Sequence, residues 1–176
     1  MRRQQPRVRL ERPSARRERD FLAAALRSRA LHRGYVVTAA TPREYRRYLR
    51  SARCANQESF FVVEAASGEL AGVVNINDIV RHSELSGRLG YYAFVPHAGK
   101  GAMREGLVLV IERAFREFGL HRLEANIQPG NDRSIALVES LSFRREGTAR
   151  GFLKIGTRWR DHERWALLKE DWRRKA

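Results

Sequence analysis

The sequence predicts one mixed α/β domain built around a single sheet. Three observations predict it. Apolar residues switch repeatedly between the helical period and the alternating period of a strand. The resulting order is strand, two helices, several strands, helix, strand, helix and two strands, which suits one sheet covered by helices. The chain has 176 residues, 43% hydrophobic and 31% charged, enough for one core and ordinary for a globular protein.

The elements follow in order. "RVRLER" (residues 7–12) is short and alternating, a first strand. "SARRERDFLAAALRSRALH" opens with Ser14 as a cap and carries Phe21, Leu22, Ala25 and Leu26 at helical spacing. "TPREYRRYLRSA" starts with Thr41 as cap and Pro42 at the first helical position, and Tyr45, Tyr48 and Leu49 form its apolar stripe. "SFFVVEA" and "LAGVVNIND" are strands joined by "ASGE", a hairpin turn with Gly68. "RLGYYAFV" is a third strand of this run. Met103, Leu107, Val110, Ile111, Ala114, Phe115 and Phe118 then keep the helical period up to Gly119. Gly106 inside that helix costs about 1 kcal/mol relative to Ala. "HRLEANIQ" is a strand broken by Pro129 and Gly130, and Asn131 caps the helix "NDRSIALVESL". "FRREGTARGFLKI" and "RWALLKED" are two last strands joined by "GTRWRDH".

No apolar run is long enough to span a bilayer, and the arginine-rich start has no apolar segment behind it, so a secretory signal is not expected. A transit peptide is the alternative. The single cysteine, Cys54, excludes an intramolecular disulfide, suits a reducing compartment, and is expected as a small buried hydrophobe. The charge is unusual: 35 Lys and Arg against 20 Asp and Glu give +15. That balance favours anionic partners, such as nucleic acid, a ribosome surface or phosphorylated cofactors, or else marks a solvated basic surface.

"VPHAGKGAM" (95–103) joins a strand to a helix with two glycines around a lysine. Unpaired N–H groups at a helix start attract phosphate, and glycine lets it approach. The P-loop pattern is absent, and the dinucleotide pattern fails at Arg104. A tight turn without a ligand is the alternative. His32, His82, His97 and His121 show no metal-ligand spacing, so no metal is expected.

The order of this turn, its helix, a strand carrying Glu124, "NDRS" and "FRREG" resembles the GNAT N-acetyltransferase superfamily. "GYYAFVPHAGKGAM", "FGLHRLEANIQPGNDRSIALVESLSFRREG" and "LKIGTRWRDHERWALLKED" are similar to the ribosomal-protein N-terminal alanine acetyltransferases. The resemblance implies a GNAT domain over residues 7–172, with a basic extension at 1–6 and a basic tail at 173–176. It implies a central, mostly antiparallel sheet of six to seven strands flanked by about four helices. It implies acetyl-CoA as cofactor, its pyrophosphate held by the backbone of Ala98, Gly99, Lys100, Gly101, Ala102 and Met103. Pro96 and Ala98 depart from the family's turn, while Lys100 and Arg104 are candidates to add charge.

Aminolysis of a thioester needs a deprotonated amine, donors for an oxyanion and a proton for the leaving thiolate. By resemblance, Glu124 is the general base, Asn131 contacts the pantetheine arm and Ser134 protonates the thiolate. The backbone near Phe94 and Val95 is the expected oxyanion donor. The blander alternatives are a salt bridge between Glu124 and Arg122, Asn131 as only a cap and Ser134 as only a first-turn residue. Some family branches use a tyrosine one turn after Ser134, where this chain has Val138. Ser142 replaces the glycine of the family's "LGF". Asp161 and His162 are candidates to bind the acceptor, or "WRDH" is a structural turn. The expected acceptor is a protein N-terminus, ribosomal first, in the cytoplasm, with contact to ribosomal RNA, no membrane partner, and a monomer or homodimer. A small amine or antibiotic as acceptor, and a catalytically silent RNA-binding module, are the alternatives.

Overall fold

The computed structural model of the protein describes residues 6–172. The expected basic tail, and all of the N-terminal extension but Pro6, lie outside the described residues. The elements are β1 (Val8–Glu11), a 3-10 turn (Ala15–Arg17), α1 (Glu18–Arg27), α2 (Arg29–His32), α3 (Pro42–Ser51), β2 (Glu58–Glu64), β3 (Leu70–Val80), β4 (Ser86–Ala93), α4 (Ala102–Arg116), β5 (Arg122–Ile127), α5 (Asp132–Ser140), β6 (Arg144–Ile155) and β7 (Arg158–Leu168). Seven strands form one sheet in the order β1-β2-β3-β4-β5-β7-β6. Every neighbouring pair is antiparallel except β4 and β5. This is the mixed, mostly antiparallel sheet that the sequence predicts.

Strand alternation feeds two cores. Phe60 and Val62 of β2 join a cluster with Leu107, Val110, Ile111 and Val138, on the side of α4 and α5. Phe61 and Val63 join Phe21, Ala24, Tyr45 and Leu49, on the side of α1 and α3. Gly106 has a packing reason: a Cβ there would lie 2.5 Å from Val62 Cγ2, so only glycine lets α4 approach β2.

Several local expectations change. Thr41 and Glu44 form the reciprocal cap that starts α3, but the Ser14 side chain makes no cap. The predicted 14–32 helix breaks at Ser28, whose buried hydroxyl donates to Ala24 O at 2.7 Å. Cys54 is exposed, not buried. The "GTRWRDH" connection shrinks to a tight turn around Gly156 (φ 61°), so Trp159, Asp161 and His162 belong to β7. Ser142 adopts φ 70°, keeping the left-handed conformation that glycine would take freely.

The parallel seam positions the site. Ser86–Leu89 of β4 pair with Arg122–Ala125 of β5. Beyond Leu89 and Ala125 both strands continue, to Ala93 and Ile127, but no longer pair with each other. The sheet is therefore split at its centre, directly before α4 and α5 begin.

Candidate active site

The split opens into a cleft of about 1730 Å³, lined from both faces of the sheet. At one end lies the turn into α4. Gly99 and Gly101 take φ 76° and 87°, and Gly101 is the residue that starts the helix. Ala98, Gly99, Gly101, Met103 and Arg104 line the cleft. The N–H groups of Ala102 and Met103 have no intrahelical partner, by the geometry of any helix start. Those of Ala98 and Lys100 donate to Phe94 O and His97 O. Two cations frame the turn. Arg104 reaches Ser140 Oγ at 3.3 Å, and the Arg7 guanidinium lies beside Gly101 while pairing with Glu105. The turn thus combines open backbone donors, the positive end of a helix dipole and guanidinium groups, an arrangement that favours an anion.

Further along, α5 begins with Asn131, whose side chain accepts from Ser134 N–H at 3.4 Å. Ser134 Oγ lies 2.6 Å from the hydroxyl of Tyr91, which comes from β4 across the split. Burial pushes the Tyr91 hydroxyl up to about 12, so it keeps its proton at neutral pH. Val138 offers no tyrosine to the helix, but the strand supplies one from the other side. Asn131, Ser134 and Tyr91 all line the cleft.

The other face is roofed by the loop after α2. His32 is 5% exposed, its Nε2 lies 2.7 Å from Ala93 O, and its ring meets Tyr92 edge-on at 5.3 Å. Burial lowers its pKa below the ordinary value of 6.5, keeping the ring neutral. A carbonyl partner requires Nε2 to carry the proton, which leaves Nδ1 as an acceptor. That Nδ1 has no hydrogen-bond partner among the described residues, and neither does the buried Asn126 Oδ1 of β5. The Gln128 side chain donates to Gly34 O at 3.0 Å and ties the loop to the far strand. His32, Asn126 and Gln128 line the same cleft.

The residue expected as base sits elsewhere. Glu124 points along the same face of β5 as Arg122, which donates to it at 2.9 Å, with Arg164 at 3.5 Å and Arg88 at 3.9 Å. It is not among the cleft-lining residues. The Phe94 and Val95 N–H groups are also engaged, by Ala71 O at 2.8 Å and Ser28 Oγ at 3.0 Å. Asp161 accepts from Gly151 N–H at 2.7 Å, fixing an irregular stretch of β6. His162 is buried with Nδ1 3.0 Å from Arg160 O, yet it borders the cleft beside Phe152.

Comparison with known proteins follows the same outline. The family model described as "Acetyltransferase (GNAT) domain" matches residues 7–144. The chain belongs to the GNAT acetyltransferase family. Among curated relatives it is similar to "Probable N-acetyltransferase YjcK" of Bacillus subtilis (strain 168), 38% identical over 112 residues. That match covers 64% of this chain and 62% of the relative. It is also similar to the [ribosomal protein uS5]-alanine N-acetyltransferase of Escherichia coli (strain K12), 40% identical over 104 residues, covering 59% and 54%. The matched segment thus spans less than two thirds of either relative. Among solved structures, the ribosomal-protein-S5-alanine acetyltransferase from Vibrio fischeri superposes with a TM-score of 0.84 at 23% identity, covering 97% and 98% of the two chains. The spermidine N-acetyltransferase from Vibrio cholerae, in complex with CoA and spermine, superposes at 0.78 with 20% identity, covering 94% and 97%. At these identities the two superpositions speak for the fold.

Within this GNAT fold the structure brings Ala98, Gly99, Gly101, Met103, Asn131, Ser134 and His162 to one cleft. It adds Tyr91, His32 and Asn126 to the cleft, and sets Arg7 beside Gly101 at its turn, none of which sequence reasoning singled out. Tyr91 lies in "GYYAFV", where strand alternation alone does not tell which of Tyr91 and Tyr92 meets α5. His32 had no signal beyond its identity, because its burial depends on Tyr92, Ala93 and Phe94, about 60 positions away.

Proposed function

We propose that the chain is an acetyl-CoA-dependent N-acetyltransferase acting on the α-amino group of a protein N-terminus, a ribosomal protein first. The observation that carries this reading is the split between β4 and β5. It ends at a glycine-rich helix start on one side and holds an acceptor-rich pocket on the other. Acetyl-CoA would supply the acetyl group as a thioester. Gly99, Gly101, Ala102 and Met103 would hold its pyrophosphate, with Arg104 and Arg7 balancing charge and Asn131 against the pantetheine arm.

Two proton positions follow. Tyr91 donates its hydroxyl hydrogen to Ser134 Oγ, which leaves the Ser134 hydrogen free to reach the departing sulfur. On the opposite face, His32 Nδ1 takes the proton of the incoming amine, directly or through a water shared with Asn126 Oδ1. Glu124 is the weaker candidate for this role, because it pairs with Arg122, Arg164 and Arg88 and does not line the cleft. The acceptor reading rests on the curated relative that acts on a ribosomal-protein alanine. A polyamine acceptor is less well supported: the cleft lining sets Glu44, Asp78 and Asp132 against Arg47, Arg88, Arg104 and Arg133, with no acidic excess. No helix of the described residues is long and apolar enough to cross a membrane, and the reading places the protein with ribosomes in the cytoplasm.

The deciding experiment is a calorimetric titration with acetyl-CoA, followed by mass-spectrometric assay of ribosomal-protein N-terminal peptides. The parent is expected to bind, and a Gly99→Glu, Gly101→Glu variant is expected not to. No binding by the parent would remove the enzyme reading.

A further inference from the structure

We infer that the outer surface of α1, α2 and α3 is an RNA-docking face beside the acceptor side of the cleft. Residues 16–53 contain eleven arginines and three acids. Ten of those arginines are exposed, Arg17 being half-buried. The three acids are already engaged. Asp20 pairs with Arg17 at 2.8 Å, Glu18 lies 3.8 Å from Arg46, and Glu44 accepts the Ala40 and Thr41 N–H groups at the start of α3.

The opposite helical layer excludes a merely arginine-rich composition as the cause. In α4 and α5 together, Arg104, Arg113, Arg116 and Arg133 are balanced by Glu105, Glu112, Asp132 and Glu139. Both layers cover the same sheet in the same chain, yet residues 16–53 carry +8 (11 − 3) and α4 with α5 carry zero (4 − 4). Packing orients it. Tyr45 and Leu49 of α3 are buried against Phe21, which leaves Arg43, Arg46, Arg47 and Arg50 on the outside. Arg43 and Arg50 are two turns apart, about 10 Å along the helix.

The chemistry favours a phosphate backbone. The segment contains no lysine, and a guanidinium offers phosphate a planar pair of donors and stacks on bases. A lipid surface fits less well, because α3 turns its apolar residues into the core and the exposed large apolar side chains of this layer are only Leu26, Tyr35 and Val37. Arg47 and Ser51 also border the cleft, so RNA held here would lie next to a protein tail entering it. The choice of RNA over DNA rests on the ribosomal acceptor proposed above.

The test measures binding of a labelled RNA hairpin at several salt concentrations. The full-length protein is compared with Arg43→Glu, Arg50→Glu, Arg53→Glu, and with Arg113→Glu, Arg116→Glu on the other layer. The parent is expected to show steep salt dependence, and the first variant to lose at least about tenfold in affinity with a slope shallower by about 2–3. The second variant should bind as the parent does. A Gln version of the triple variant covers failure to fold, with a smaller loss expected. Equal affinity of parent and triple variant, equal loss in both layers, or tighter binding to phosphatidylserine vesicles than to RNA would each overturn the inference. Acetylation of a free N-terminal peptide is measured on the same samples. Its absence in the parent counts against the proposed activity, while the binding titration still decides the RNA face.

Discussion

At the level of single side chains, the burial of His32 has a measurable consequence. Its folded pKa lies below the unfolded value of about 6.5, so below that pH the unfolded chain binds a proton that the folded chain resists. Stability should be unaffected by this group above pH 6.5 and fall as pH drops through the folded pKa. Urea midpoints across that range should show the decline in the parent and a flatter curve for His32→Gln. An identical decline in both would remove His32 as its source. Catalysis supplies a second residue-scale expectation. Ser134→Ala should lower kcat by about 10²-fold, and Tyr91→Phe by about tenfold, with acetyl-CoA affinity kept. Unchanged kcat in both would reject the proton path. Ser142 gives a third: relieving its left-handed backbone with Ser142→Gly should stabilise the fold by about 1 kcal/mol. A lower melting temperature for that variant would contradict the strain.

At the level of elements, the position of α4 depends on its glycine. Gly106→Ala improves helix propensity by about 1 kcal/mol, but the new methyl would press on Val62. Overpacking of this kind typically costs about 1–3 kcal/mol, so packing should win and the variant should be less stable. Because the same helix carries the Gly101 start, acetyl-CoA affinity should fall as well. A more stable variant with unchanged affinity would mean that the helix and β2 have slack. The β6–β7 hairpin shows how turns reset elements: Gly156 lets two long strands pair at once, drawing Trp159, Asp161 and His162 into the sheet.

At the level of the whole molecule, the +15 charge opposes folding through self-repulsion. The exposed ion pairs are each worth only about 0–1 kcal/mol, and salt weakens both effects. Since repulsion acts across the whole surface, modest sodium chloride, about 0.15 M against 0.01 M, is expected to raise the urea midpoint. A lower midpoint would show that ion pairs such as Arg122–Glu146, at 2.5 Å, outweigh the repulsion.

The sequence by itself determined the order of elements, the single sheet, the glycine start of α4 and the Asn131 cap, because each rests on local periodicity or local backbone chemistry. It also placed Gly99, Gly101 and Ser134 in one family pattern. Tertiary structure alone decided which hydroxyl faces Ser134, that Glu124 lies among three arginines, and that His32 is buried with an unpartnered nitrogen. Those facts depend on contacts between residues 36 to 61 positions apart, set by how β4 and β5 part and how a loop crosses them. The charge count was legible from the start. Its placement on the outer side of α1 to α3 was not, because only packing decides which side of a helix meets water.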